Sequence, residues 1–98
     1  MIEIALSSDA SHFSQEHMIF GQHYVIEFQW LERERYWVLH LYDGAEVPVA
    51  LGLRVTPNWP IYVDKTHGIA FVLLARNPNA ELSRTSLHKD FVLVVHVV

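Results

Sequence analysis

The 98-residue chain contains no cysteine, four glycines and seven Lys and Arg residues scattered along its length. Without cysteine there are no disulfides, thiolate metal sites or cysteine nucleophiles, which fits folding in a reducing compartment. No two glycines lie within three residues of each other, so no glycine-rich loop is available to cradle a phosphate. A basic stripe is missing and the net charge is −4 with histidines neutral, the opposite of what nucleic acid recruits. The longest apolar run, IAFVLLA at 69–75, falls far short of the ~18 residues a membrane helix needs. The N-terminus carries acidic Glu3 where a signal peptide needs a basic region. Neither nucleic acid nor membrane is an expected partner.

What is abundant is apolar surface: 51% of residues are hydrophobic and 12% aromatic against 18% charged. A chain of this length supports one compact core, so residues 1–98 are expected to form a single domain. That apolar share is high for a small domain standing alone, and part of it calls for a protein partner.

Period two dominates the apolar stretches. In HYVIEFQW, 23–30, Tyr24, Ile26, Phe28 and Trp30 share one face; in YWVLHLY, 36–42, Trp37, Leu39 and Leu41 do the same. The ERER tetrapeptide at 32–35 has the length of a hairpin loop. Placing Leu31 opposite Tyr36 then pairs Trp30 with Trp37, Phe28 with Leu39 and Ile26 with Leu41 on the apolar face. On the other face it sets Glu27 opposite His40, a cross-strand contact worth roughly 0.2–1 kcal/mol. Further strands are expected at 2–6, 17–20, 47–51, 69–75 and 91–97, and the prolines of TPNWP, 56–60, exclude that stretch from helix interiors and central strands. Gly21 and Gly52 mark strand ends where positive φ is useful. The fifteen-residue connection 76–90 has room for a helix of one or two turns capped by Asn79. The fold class is therefore all-β: a sandwich or partly open barrel of about seven short antiparallel strands with at most one short helix.

FVLVVHVV, 91–98, is apolar on both faces, with only His96 breaking the pattern. Its second face needs either a partner or a cover from the chain's own loops. Trp59, between Asn58 and Pro60, has the form of an interface anchor, or else packs over an open end of the sheet. With it, Arg76, Asn79, Leu82 and Arg84 on the connection, and Val92 and Val94 on the last strand, are the candidate protein-interface residues.

Catalytic frames are weak. Ser8 or Ser86 with His88 and Asp90, or Asp64 with His67, can be grouped on paper, but none carries a nucleophile elbow or comparable signature. The seven histidines have no metal-ligand spacing: His12, His17 and His23 fall five and six residues apart, and His40 and His96 sit mid-strand. No enzyme activity, metal or cofactor is expected. A small-ligand- or glycan-binding β-barrel using Trp30, Trp37 and Trp59 is the alternative.

The opening I-x-I-x-L strand followed by FGQHYVIEFQWLERERYWVLHLYDGAEVPVALGLRV resembles the small baseplate plug proteins of contractile-tailed phages. The resemblance rests on Phe20, Gly21, Tyr24, Phe28, Trp30, Arg33, Trp37, Leu39, Leu41, Asp43, Gly52 and Leu53, with Gly68, Pro78, Leu82 and Leu87 beyond residue 55. It implies a virion component assembled in the host cytoplasm, present in symmetric multiple copies. Such a component plugs or cements baseplate and tail proteins such as hub, spike, tube or wedge.

Overall fold

The computed structural model describes residues 1–98 as two four-stranded antiparallel sheets packed face to face. The strands are β1 (Ile2–Ile4), β2 (His12–Ile19), β3 (Gln22–Leu31), β4 (Tyr36–Asp43), β5 (Pro48–Arg54), β6 (Pro60–Asp64), β7 (Ile69–Ala75) and β8 (Phe91–Val97). The one helix, α1, is the single turn Leu87–Asp90. One sheet runs β1-β8-β7-β6 and the other β2-β3-β4-β5. The expected sandwich is present with eight strands, and the sheets do not close into a barrel.

The β3–β4 hairpin adopts the register expected from its alternation, with Leu31 opposite Tyr36, Trp30 opposite Trp37 and Glu27 opposite His40. Its apolar face joins β7 and β8 in a core that includes Phe28, Trp37, Phe71, Phe91 and Leu93. Each such side chain contributes roughly 1.5–3 kcal/mol of burial.

Three strand boundaries and one whole strand differ from expectation. β1 ends at Ile4, and β2 begins at His12 instead of 17. The inward positions of β2 include polar Gln15 and His17 at the half-buried rim, so its hydrophobic alternation is masked. β5 extends to Arg54 through a bulge: Leu39 pairs with Leu53 but Leu41 with Ala50, leaving Leu51 and Gly52 opposite His40. Gly52 takes φ 67°, a left-handed conformation that glycine adopts without a Cβ penalty. β6 was not anticipated, because it starts at Pro60. That proline is tolerated as the first residue of an edge strand.

The connection 76–90 does not form the helix expected from Asn79. Asn79 donates its own N–H to Asn77 Oδ1 at 3.1 Å, while the Ser86 hydroxyl donates to the Glu81 carbonyl at 2.7 Å and accepts the Ser83 N–H at 2.8 Å. These side-chain bonds supply the backbone with turns in place of helical bonds until Leu87. The resulting segment closes one end of the sandwich: Leu87 is buried, Ala80 and Leu82 pack on the core, and Trp37 Nε1 donates to the Ser83 carbonyl at 2.9 Å.

Candidate protein interface

The antiparallel order gives the molecule two unlike ends. At one lie the β2–β3, β4–β5 and β6–β7 turns together with both chain termini; at the other lie the 32–35 tip, the 55–59 loop and the 76–90 connection. Arg33, Arg35, Arg54, Arg76, Arg84 and Lys89 all fall at the second, loop end, leaving Lys65 as the only Lys or Arg elsewhere.

Five of the seven sequence-derived interface residues converge on that loop end. Trp59 is 68% exposed, in a loop pinned where Asn58 N–H donates to the Leu73 carbonyl at 2.8 Å. Asn58 itself has φ 69°, so the loop turns sharply to hold the indole out. Arg76 N–H donates to the Asp90 carbonyl at 2.7 Å, which closes the base of the connection and leaves the exposed Arg76 side chain at its rim. Leu82 is half-buried and joins Trp30, Arg35, Tyr36, Arg54 and Pro57 in a shallow depression of about 200 Å³. Arg84 shares a second depression of about 190 Å³ with Asp9, Thr85, His88 and Lys89, and Asn79, earlier in the connection, is exposed.

Val92 and Val94 lie apart from this cluster. Phe91, Leu93 and Val95 enter the core, whereas Val92 and Val94 alternate onto the outer face, paired with Leu74 and Val72. β8 runs through the middle of its sheet between β1 and β7, and the two valines are only 9% and 3% exposed within the single chain.

The Arg54 guanidinium stacks 4.4 Å over the Tyr36 ring and forms one wall of the Leu82 depression, a contact that sequence pattern does not reveal. Seventeen residues lie between the partners, and no local pattern links them.

The acid–base candidates are occupied structurally. Glu27 and His40 face each other in register, but the Glu27 carboxylate takes its hydrogen bonds from His12 and from the Tyr42 hydroxyl at 2.9 Å. The expected Glu27–His40 contact is thus displaced: the His40 ring bonds Gln29 Oε1 at 3.3 Å and accepts the Gly52 N–H on Nδ1 at 2.9 Å. The bond from His12 outweighs partial burial and, with Tyr42, holds the Glu27 carboxyl below the usual range. Ser86 is committed to the turn at 81–86, as described above.

Asp64 is buried at the end of β6 and ties the 64–68 turn. Its carboxylate accepts the Tyr24 hydroxyl at 3.1 Å, the His67 ring at 2.8 Å, and the N–H groups of Thr66 and His67. This is an Asx-type turn built on a charge, not a nucleophile frame. Burial alone would raise the Asp64 carboxyl, but the bonds from His67 and Tyr24 outweigh it and hold it below the ordinary value. Burial first, then the bond to Asp64, pushes the Tyr24 phenol up to about 12. No group of three or more His, Asp or Glu side chains is arranged to hold a metal ion.

These directions set a pH dependence. The raised phenol contributes stability that is fully present below ~10, its unfolded value, and lost as pH rises toward about 12. The lowered Asp64 and Glu27 contribute stability present above their unfolded values of ~4 and lost as pH falls through the folded ones. Thermal melts followed by tryptophan fluorescence should therefore show an alkaline fall between 10 and 12 that Tyr24→Phe flattens. Asp64→Asn should lessen the acid fall and cost about 1–3 kcal/mol at neutral pH. An alkaline arm unchanged in Tyr24→Phe would show that the phenol–carboxylate bond is not the cause.

A surface with one projecting tryptophan, a rim of mixed charge and no assembled catalytic group suits protein contact. Residues 1–97 match the family model described as cyanophage baseplate Pam3 plug gp18. The chain belongs to this baseplate plug family. The match takes in both sheets and the whole 76–90 connection, well past the residue-55 limit of the strongest sequence resemblance. The baseplate plug family is a structural one, not an enzyme family, and its place is the virion tail. No curated protein matches the chain.

Proposed function

We propose that the chain plugs or cements the baseplate by laying its loop end against neighbouring baseplate and tail proteins, drawn from hub, spike, tube or wedge, in symmetric multiple copies. The observation that carries this reading is Trp59, a large indole 68% exposed on a loop fixed by a backbone bond to β7. Exposed aromatics held rigidly give contact area with little ordering cost, and they dominate protein interfaces when covered. At the same end of the sandwich, Arg76, Asn79 and Arg84 supply polar contacts and Leu82 an apolar one, and the outer valines Val92 and Val94 extend the contact along the β8 face. The rim carries both signs of charge, Arg76 and Arg84 with Glu81 and Asp90 on the same connection, and such side chains set specificity more than they add affinity.

The ligand-binding alternative draws little support. The depressions on this molecule are about 190–230 Å³ and open, below the ~300–1,000 Å³ of small-molecule pockets. Trp30 and Trp37 meet edge-on with ring centroids 5.6 Å apart; Trp37 is buried in the core, and Trp30 borders only the open depression beside Leu82.

A cryo-EM map of the assembled tail tests the proposal. The chain should be found at the baseplate with Trp59 and the 76–90 connection covered by another chain. Absence from the tail, or a loop end facing solvent in every copy, overturns it.

A further inference from the structure

The four sheet edges are not equally guarded. β1 offers only three residues, β6 opens on Pro60 and has an irregular register, and β5 opens on Pro48 and carries the Leu51–Gly52 bulge. Short length, proline and bulges are the usual devices against edge-to-edge pairing. β2 has none of them: eight residues, HFSQEHMI, free of Pro and Gly and paired to β3 in unbroken register.

The groups β2 offers follow from hydrogen-bond parity. Trp30 N–H donates to the Ser11 carbonyl at 2.7 Å, so the odd residues on this side bond to β3. His12, Ser14, Glu16 and Met18 accordingly turn both N–H and C=O to the open edge, and all four are exposed. The Gln15 side chain holds the segment leading into β2, accepting the Ser7 N–H and donating to the Ala5 carbonyl, without using the outward backbone groups.

We propose that β2 is a self-association edge: two copies pair β2 with β2 antiparallel about a two-fold axis centred on Gln15. The proposal rests on the chain's being a multi-copy baseplate component and names the surface through which copies meet. Only registers that set outward residues opposite outward residues can bond, which restricts the axis to a residue position. Centring on Glu16 places two carboxylates directly opposite each other, and centring on Ser14 shortens the overlap. Centring on Gln15 pairs residues 12–18 throughout, with Ser14 opposite Glu16, His12 opposite Met18 and Phe13 opposite His17, and sets no like charges face to face. The joined sheets form one continuous eight-stranded layer.

The test uses the whole chain. Gln15 sits at a non-hydrogen-bonded position across the new pair, where Cα atoms approach to about 4.5 Å, within reach of a disulfide. Because the chain has no cysteine, Gln15→Cys presents one thiol, and oxidised glutathione should convert it to a covalent dimer while Met18→Cys stays largely uncoupled. Ser14→Pro removes an N–H that bonds nothing within the chain, so it should keep the β-sheet circular-dichroism spectrum and sediment as a monomer at concentrations where the unaltered protein is a dimer. Glu16→Pro is the second such variant should the first fail to fold. An unaltered protein that is monomeric throughout, dimers that survive folded Ser14→Pro or Glu16→Pro, or equal coupling at positions 15 and 18 would each overturn the edge assignment. Presence or absence of the chain in tails is a separate measurement, so the family role and the edge can fail independently.

Discussion

Trp37→Ala should lower the unfolding free energy by about 3–5 kcal/mol, the largest single loss expected from any side chain in the molecule. Trp37 is 1% exposed and is the largest fully buried side chain. Its indole meets Trp30, Phe13 and Phe28 with ring centroids 5.6, 6.2 and 6.3 Å away, each edge-on, the geometry that aromatic quadrupoles favour. Truncation leaves a cavity at the junction of β2, β3 and β4. It also releases the Ser83 carbonyl, and with it the fixed position of the 76–90 connection. For a domain of this size, total stability is of the order of 5–15 kcal/mol, so the variant should sit close to its unfolding threshold. Trp37→Phe keeps ring packing but loses the N–H donor and should cost less, with about 1 kcal/mol of its loss assignable to the bond. Urea titrations of the three proteins separate the two contributions. A loss below 1 kcal/mol for Trp37→Ala would show that the hairpin presents its other face to the core.

The hairpin was legible in the sequence because two constraints agreed. A four-residue tip and strict alternation on both strands admit one register, and that register is the one formed. Period two failed where inward positions are polar, at Gln15 and His17, and this hid the first half of β2. A strand that starts at 17 also leaves His12 no place beside Glu27, so alternation alone pairs the carboxylate with His40, its partner in register but not in hydrogen bonding. The β6 strand was invisible for a different reason: Pro60 argues against a strand everywhere except at the first position of an edge, and edge status is a tertiary fact. The connection 76–90 misled because Ser, Thr and Asn compete for backbone bonds through their side chains, and the winner at Ser86 depends on where Glu81 and Ser83 are held.

The interface residues divide along the same line. Trp59, Arg76, Asn79, Leu82 and Arg84 come from two separate loops, and only the sandwich topology brings those loops to one end. Val92 and Val94 stand out in the sequence because β8 is apolar on both faces. The fold shows them side by side with Val72 and Leu74 in a central strand, where each side chain already shields the next. Any contact on that face is with the sheet as a whole, so a single valine there is a poor probe of docking, and the exposed indole is the better one.

Trp59→Ala should weaken incorporation into the baseplate by about 2 kcal/mol or more, roughly thirtyfold, while moving the stability of the free chain by less than about 0.5 kcal/mol. The two effects separate because the indole is largely exposed and the loop is held by the Asn58 backbone, not by the ring. Arg84→Ala at the rim should weaken incorporation less, and its effect should fade in salt, since exposed charges are screened within about 10 Å at 0.1 M. Phe20→Ala is the control from the opposite end: Phe20 is 44% exposed in the β2–β3 turn at φ 47°, so its loss removes apolar surface where the proposal places no contact. Quantitative mass spectrometry of purified tails, with unfolding curves of the free proteins alongside, measures both quantities. Tails carrying normal amounts of Trp59→Ala but depleted of Phe20→Ala would move the docking surface to the turn end. Tails depleted of Trp59→Ala alone leave the pinned indole as the anchor, with the loops of 55–59 and 76–90 as the surface that the baseplate covers.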